Sequence, residues 1–295
     1  MIITVASGKG GTGKTTVATS LAYTLADLSP VLLDCDVEAP NAHLFLEPDF
    51  DSWREVSIPV PVIDEDRCTA CGRCADVCQF HAIVVAGTRA SMFPELCHGC
   101  GSCAVQCPEA AMSEVPRAIG TLERGRGKGN VDLRHGRLNI GEPLAVPVIR
   151  ALKQWAWPGT EQLVIRDAPP GTSCPVVEAM RGSSYVILVT EPTPFGLHDL
   201  NLAVELTRTL GIPAGIVLNR DGLGDMRVEN YCFQEDLPIL MRIPFEERIA
   251  EALAGGHLLV EAFPAYEPDF RQAYNCIQES LHPERPAAQG LGVRP

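Results

Sequence analysis

Apolar positions along the chain fall into short continuous runs separated by stretches of helical spacing. Residues 2–6 are such a run and read as a buried strand. After a glycine-rich gap, residues 15–28 carry apolar side chains at helical spacing, at Val17, Leu21, Leu25 and Leu28, and Pro30 stops the helix. Residues 31–33 read as a second buried strand. Apolar patterning returns over residues 138–153. The second half then alternates plainly, with strands at 163–165, 185–190, 215–218 and 239–243, a helix near 197–210 and a helical stretch from Glu246. This alternation predicts an α/β fold, a parallel sheet with helices on both faces, and ligands at the carboxyl ends of the strands.

The gap after the first strand holds Gly8-Lys9-Gly10-Gly11-Thr12-Gly13-Lys14-Thr15-Thr16. Strand, glycine-rich loop ending in Gly-Lys-Thr, then helix is the context of a phosphate-binding P-loop. The glycines let backbone N–H groups turn toward an anion, and the helix N-terminus adds its dipole. Lys14 is expected to reach the β- and γ-phosphates and the Thr15 hydroxyl to ligate Mg²⁺. The strand at 31–33 ends in Asp34-Cys35-Asp36, where carboxylates lie near Mg²⁺ and attacking water, or act simply as turn and cap acids.

From about Pro59 the pattern changes. Cys68-x2-Cys71-x2-Cys74-x3-Cys78 is followed, 29 residues on, by Cys97-x2-Cys100-x2-Cys103-x3-Cys107-Pro108, with Gln79 where the second run has the proline. This internal repeat is the signature of a two-cluster bacterial ferredoxin. Three cysteines of a run bind one [4Fe–4S] cube and the fourth reaches the other. One cluster is therefore expected on Cys68, Cys71, Cys74 and Cys107, the other on Cys97, Cys100, Cys103 and Cys78. Zinc fits less well, because structural zinc sites use separated pairs rather than two complete runs.

Charge and composition narrow the partners. The 295 residues carry a net charge of −13, which argues against non-specific nucleic-acid binding and against anionic membranes. No run approaches the ~20 apolar residues of a membrane span. No signal peptide precedes the first strand, so a cytoplasmic chain is expected, and the twelve cysteines are not read as a disulfide framework. Residues 117–137 are rich in Gly and Arg and read as a solvated linker, with a mobile basic loop as the alternative. Residues 269–281 form a short helix without a basic amphipathic face, and the segment from Glu284 onward reads as a tail. The expected organisation is a P-loop domain in two parts, 1–58 and 117–283, an inserted ferredoxin domain at 59–116, and a tail at 284–295.

With these pieces assembled, the chain resembles the MinD/Mrp/ParA group of deviant P-loop ATPases, which includes the nitrogenase iron protein, and is closest to MinD-like ATPases with an inserted ferredoxin domain. The residues that carry the resemblance are Gly8 to Thr16, Asp34-Cys35-Asp36, Asp167-Ala168-Pro169-Pro170-Gly171 and Asn219-Arg220-Asp221. It implies ATP and Mg²⁺ as ligands, with Gly8, Gly10, Gly11, Thr12, Gly13, Lys14, Thr15 and Thr16 around the phosphates. By resemblance, Lys9 crosses a dimer interface to the partner's ATP. Asp36 orients the attacking water, Asp167 stands in the Mg²⁺ shell, and Asn219, with Arg220 beside it, recognises adenine. The dimer would be a homodimer or a heterodimer with a related ATPase. Neither the membrane-targeting helix of MinD proper nor the late Cys-x-x-Cys pair of Mrp-type carriers is present. Cys174, just past the Asp167 motif, is either a redox or interface ligand or a half-buried packing residue.

Three functions follow from this reading. In the first, the nucleotide state of a dimerising ATPase is coupled to electron transfer through two clusters, with a redox partner or a metalloprotein client. In the second, the chain is an ATP-dependent carrier or scaffold for metal–sulfur clusters. In the third it is a non-redox organiser whose ferredoxin segment only docks a partner.

Overall fold

The computed structural model describes residues 1–155 and 162–282. The tail expected from Glu284 onward lies outside them. Strands β1 (Ile2–Ala6), β2 (Val31–Asp34), β8 (Val164–Asp167), β9 (Tyr185–Thr190), β10 (Ala214–Asp221) and β11 (Ile239–Pro244) form where the apolar runs predict them. They join β3 (Asp49–Ile63), β6 (Met112–Arg126) and β7 (Asp132–Leu138) in one nine-stranded sheet of order β11-β10-β9-β1-β8-β2-β7-β6-β3. β4 (Ile83–Ala86) and β5 (Arg89–Met92) make a separate two-stranded sheet.

The strands from β11 to β7 pair in parallel and both of their faces are covered. Alternate residues therefore enter opposite cores: Val31, Leu33, Val186, Leu188, Ile216 and Leu218 on one side, Ile3, Val5, Leu32, Ile187, Val189 and Val217 on the other. Continuous apolar runs are what strands buried on both faces require. The first core is closed by α5 (Ala145–Trp155), α6 (Cys174–Met180), α7 (Pro194–Leu210) and α8 (Arg227–Gln234). The second is closed by α1 (Lys14–Thr24), α9 (Glu247–Ala254), α10 (Leu259–Ala262) and α11 (Glu267–Leu281). The helix expected at 269–281 is thus α11, which buries Ala273 and places Phe270, Tyr274 and Ile277 in the second core. Among the described residues no helix is long and apolar enough to cross one.

Two sequence expectations change. The sheet is not wholly parallel, because β6 and β3 run antiparallel at its edge. And the Gly/Arg-rich stretch 117–137 is neither linker nor free basic loop; β6 and β7 occupy most of it, joined by a short turn at Lys128–Asn130. Its charges are absorbed locally: Arg124 and Arg134 both pair with the buried Asp132, at 3.0 and 2.9 Å. Its glycines serve close approach, since a Cβ on Gly125 would lie 2.2 Å from the Asp49 carbonyl oxygen. A composition rich in Gly and Arg thus hides two strands that pair with each other and with distant partners, β3 on one side and β2 on the other.

β6 pairs with β7 only over Gly120–Arg126, whereas its pairing with β3 continues from Ala118–Ser57 out to Met112–Ile63. The two long strands therefore extend beyond the sheet as a ribbon, through positions 58/59 and 116/117 without interruption. The ribbon carries residues 64–111, with β4, β5, α3 (Arg73–Asp76) and α4 (Ser102–Gln106). The remaining short helix, α2 (His43–Leu46), follows β2.

Candidate functional site

The carboxyl ends of β1, β2, β8 and β10 converge on a cleft of about 300 Å³. Gly10, Gly11, Gly13, Lys14, Thr15 and Thr16 line one side, Asp36 and Asn41 the next, and Asn219 and Arg220 the third. Phe45, Pro244, Phe245, Ile249 and Leu253 give its far end an apolar wall. Nothing in the sequence pattern singles these five out, because they are ordinary core-type residues until the fold brings them together.

The loop is shaped for an anion. Gly13 takes φ +93° as the residue before α1 and offers no side-chain cap, so the first amides of the helix are left for a ligand. A Cβ on Gly13 would lie 2.5 Å from Asn219 Nδ2, and one on Gly8 2.2 Å from the Asp199 carbonyl oxygen. Thr12 is buried, and its carbonyl accepts from Asn219 Nδ2 at 2.8 Å. Asn219 therefore stands against the loop, at the boundary between its phosphate side and the apolar wall.

Lys14 is buried, and its pKa is lowered, chiefly by desolvation, against the opposing pull of Asp167, Asp36 and Asp34. Burial likewise raises the Asp36 carboxyl, while Lys14 pulls it down. Burial also holds Asp167 well above the usual carboxylate range, with Asp34 adding to the effect. The Thr15 hydroxyl lies 2.5 Å from Asp167 Oδ2 and 2.8 Å from Asn41 Oδ1. One hydroxyl proton serves two oxygens, and Asp167 Oδ1 is buried without a hydrogen-bond partner. An oxygen-rich, under-protonated group of this kind fits a hard divalent cation.

Asp34, which the sequence left as a possible cap acid, organises this corner. Its carboxylate accepts from the amides of Asp36, Asn41 and Ala42 at 3.1, 2.8 and 2.9 Å, and burial pushes its pKa up to about 6. It holds the loop that carries Asp36 and Asn41. Asp34→Ala is expected to cost about 2 kcal/mol in urea unfolding, because it strands these amides; a loss under ~0.5 kcal/mol would remove Asp34 from that role.

Lys9 lies elsewhere. It is not among the cleft-lining residues, and its Nζ pairs with Glu191 at 3.1 Å. Glu191 also pairs with Arg220. Sequence reasoning missed Glu191, which sits in no motif and becomes significant only when the end of β9 meets the loop.

The eight clustered cysteines fall into two sets. One small cavity is lined by Cys68, Cys71, Cys74 and Cys107, the other by Cys78, Cys97, Cys100 and Cys103. The repeat is legible in the backbone, with positive φ at Ala70 and Gly99, at Gly72 and Gly101, and at His81 and Ala110, each pair 29 residues apart. The sulfurs of Cys78 and Cys107 each accept from the amide four residues on, Ala82 and Ala111, at 3.3 Å. The first cavity adjoins Ile63 and Met112 at the ribbon's outer end. The second lies nearer the sheet: it includes Pro61, and a Cβ on Gly99 would lie 3.0 Å from the Pro59 carbonyl oxygen. Among the described residues, no three or more His, Cys, Asp or Glu side chains are close enough to hold a single metal ion. A single ion gathers its sulfurs about 2.3 Å from one point. A cubane instead takes each thiolate at its own corner. Cys174 is exposed at the start of α6, and Cys35 and Cys232 are buried with pKa values pushed up by burial to about 12 and about 11.

Residues 3–260 match the profile of the CobQ/CobB/MinD/ParA nucleotide binding domain. The chain is 33% identical over 281 residues to an uncharacterized protein of Methanocaldococcus jannaschii, covering 95% of this chain and 96% of that one. It is 29% identical over 230 residues to the cytosolic Fe-S cluster assembly factor Nubp2 homolog of Anopheles gambiae, covering 75% of this chain and 69% of that one. In fold it is similar to the septum site-determining protein MinD of Pyrococcus horikoshii, a structure complexed with Mg-ADP. There the TM-score is 0.54 and the identity 22%, over 93% of this chain and 95% of that one.

Proposed function

The chain belongs to the CobQ/CobB/MinD/ParA nucleotide-binding family and is a P-loop ATPase of the MinD/ParA type; from that premise we propose that its ATP-dependent dimer is coupled to a two-[4Fe–4S] ferredoxin unit. The ATPase would occupy residues 1–58 and 117–283 and the ferredoxin unit 59–116. The observation that carries this reading is the sorting of eight cysteines into two cavities, each completed by the fourth cysteine of the other run. Four-cysteine sets with crossed fourth ligands fit [4Fe–4S] ligation. Cys68, Cys71, Cys74 and Cys107 would hold one cluster, and Cys78, Cys97, Cys100 and Cys103 the other. When bound, such clusters supply one-electron storage and transfer.

The chain's own residues would divide the ATPase work. The amides at the start of α1 and Lys14 bind and orient the phosphates, and Thr15 with Asp167 holds Mg²⁺, as their oxygen-rich contact suggests. Asp36, at the cleft edge, orients water. Asn219 and Arg220 meet the base side, against the wall of Phe245, Ile249 and Leu253. Lys9 serves a second subunit, either another copy or a related ATPase. The ribbon joins the cysteine cavities to β6 and β7, and β7 lies directly beside β2, whose end bears Asp34 and leads into Asp36. A γ-phosphate sensed at that loop thus has a short continuous path to the cysteine lobe.

A non-redox, MinD-like organiser is favoured by a different observation: the backbone follows MinD over most of its length. A cluster carrier takes support from the name of the Anopheles gambiae relative. Anaerobic reconstitution with iron and sulfide separates the three. The redox reading expects about eight iron atoms per chain, about half after Cys71→Ala, and an EPR signal that changes when ATP is added. No retained iron, with ATP turnover unchanged in Cys71→Ala, would leave the organiser; quantitative transfer of iron to an apo-acceptor on ATP addition would leave the carrier.

A further inference from the structure

The two lysines of the glycine-rich loop are held by different partners. Lys14 is buried in the cleft, whereas Lys9 is drawn out of it by Glu191. Both ends of that contact are fixed in place. Gly8 is seated on α7, where a Cβ would strike the Asp199 carbonyl, so the backbone leading to Lys9 packs directly against that helix. The Glu191 carbonyl accepts from the Thr193 amide at 2.8 Å and is packed against Gly196, whose Cβ would lie 2.2 Å from it. Thr193 caps α7 through the Gly196 amide at 3.0 Å. The first two turns of α7 thus hold the backbone of Glu191 and the backbone leading to Lys9 against one element.

The carboxylate holds two cations of unequal freedom. The Glu191 side chain is 7% exposed, that of Lys9 31% and that of Arg220 46%. Arg220 is tied into the cleft: it lines the cavity, sits at φ +54°, and its amide donates to Asn219 Oδ1 at 2.9 Å. A buried carboxylate that loses its only counter-ion is costly to the fold, but one that keeps a second is not. Lys9 can therefore leave Glu191 without stranding it, because Arg220 stays. A triphosphate on a facing subunit, with several charged oxygens, outcompetes one shared carboxylate for the ammonium.

We propose that Glu191 is a positioning residue that parks Lys9 outside the chain's own phosphate site and releases it to the nucleotide of a second subunit, so setting the threshold for nucleotide-dependent pairing. This rests on the reading of Lys9 as a residue that acts in trans. In the unpaired chain the ammonium is neutralised. On pairing it exchanges one anion for another, and the strength of the first contact is subtracted from the second.

The test is sedimentation of the full chain with Mg²⁺ and a non-hydrolysable ATP analogue, over a range of protein concentrations. Glu191→Gln, nearly isosteric but uncharged, is expected to lower the midpoint of dimerisation about tenfold, in line with a hydrogen bond to a charged group. Glu191→Asp, which keeps the charge, is expected to stay closer to the unchanged chain. In a Lys9→Ala background Glu191→Gln is expected to do nothing, because the pair it acts through is gone. An unchanged midpoint in Glu191→Gln, equal shifts in the Gln and Asp variants, or the same shift with and without Lys9 would each overturn the proposal. Lys9→Ala alone addresses the underlying reading: normal dimerisation and turnover there would remove the trans role itself, whereas a loss there with no effect of Glu191→Gln would remove only the parking role.

Discussion

Lys14→Ala abolishes ATP binding at micromolar nucleotide while the chain stays folded. The side chain is buried at the mouth of α1, and three carboxylates, Asp34, Asp36 and Asp167, act on it. Its ammonium is the cation that lets a polyanion enter a corner already crowded with acids. Removing one partner of a buried, hydrogen-bonded charge pair costs about 3–5 kcal/mol, or roughly 10²–10⁴-fold in affinity. The loss acts twice, since the phosphates lose a counter-ion and meet carboxylates no longer offset by it. Titration with a fluorescent ATP analogue measures the affinity, and far-ultraviolet circular dichroism checks the fold. Affinity within threefold of the unchanged chain would mean that the cleft at the end of β1 is not the phosphate site.

The second large effect separates binding from turnover. Lys9→Ala is expected to bind ATP within about threefold of normal and to lose about 10³–10⁵ in hydrolysis rate, the scale of a cation supplied in trans to a phosphoryl-transfer transition state. The geometry explains the split. Lys9 is not among the residues lining its own cleft, so removing it takes nothing from ground-state binding there. Its ammonium is part-exposed and paired with Glu191 on the face where the carboxyl ends of the strands open. Phosphate release at saturating ATP reads the rate directly. Turnover within tenfold of normal would refute the trans role, and the dimer would no longer be needed for chemistry.

Much of this site is legible in the residues alone. A glycine-rich loop between a buried strand and a helix suits an anion, because here the first amides of the helix have no side-chain cap. Lys14, Thr15, Asp36 and Asn219 accordingly line one cleft, and Asp167 stands against the Thr15 hydroxyl. The cysteine spacing is equally local: turns repeated at a 29-residue interval bring three sulfurs of each run round one cavity, and the fourth comes from the other run. What misled was the Gly/Arg-rich stretch, whose composition suits a solvated linker. Its β3 partners are about 60–77 residues back, and that pairing shows that Gly125 admits a neighbouring backbone, whereas the turn from β6 into β7 brings its arginines onto Asp132.

The sequence by itself therefore determined the loop, the six strands of the apolar runs with the helices between those of the second half, and the grouping of cysteines into two runs, because each has a signature within a short stretch of chain. The tertiary structure alone decided the rest. It set the antiparallel ribbon at the sheet edge, the apolar wall of Phe45, Phe245 and Leu253, the buried hold of Asp34 on its loop, and the pairing of Glu191 with both Lys9 and Arg220. All but the Asp34 contacts, which reach only two to eight residues along the chain, join groups far apart in sequence. Their energies come from burial and from charges meeting across the fold, and neither has a signature in the local pattern of residues.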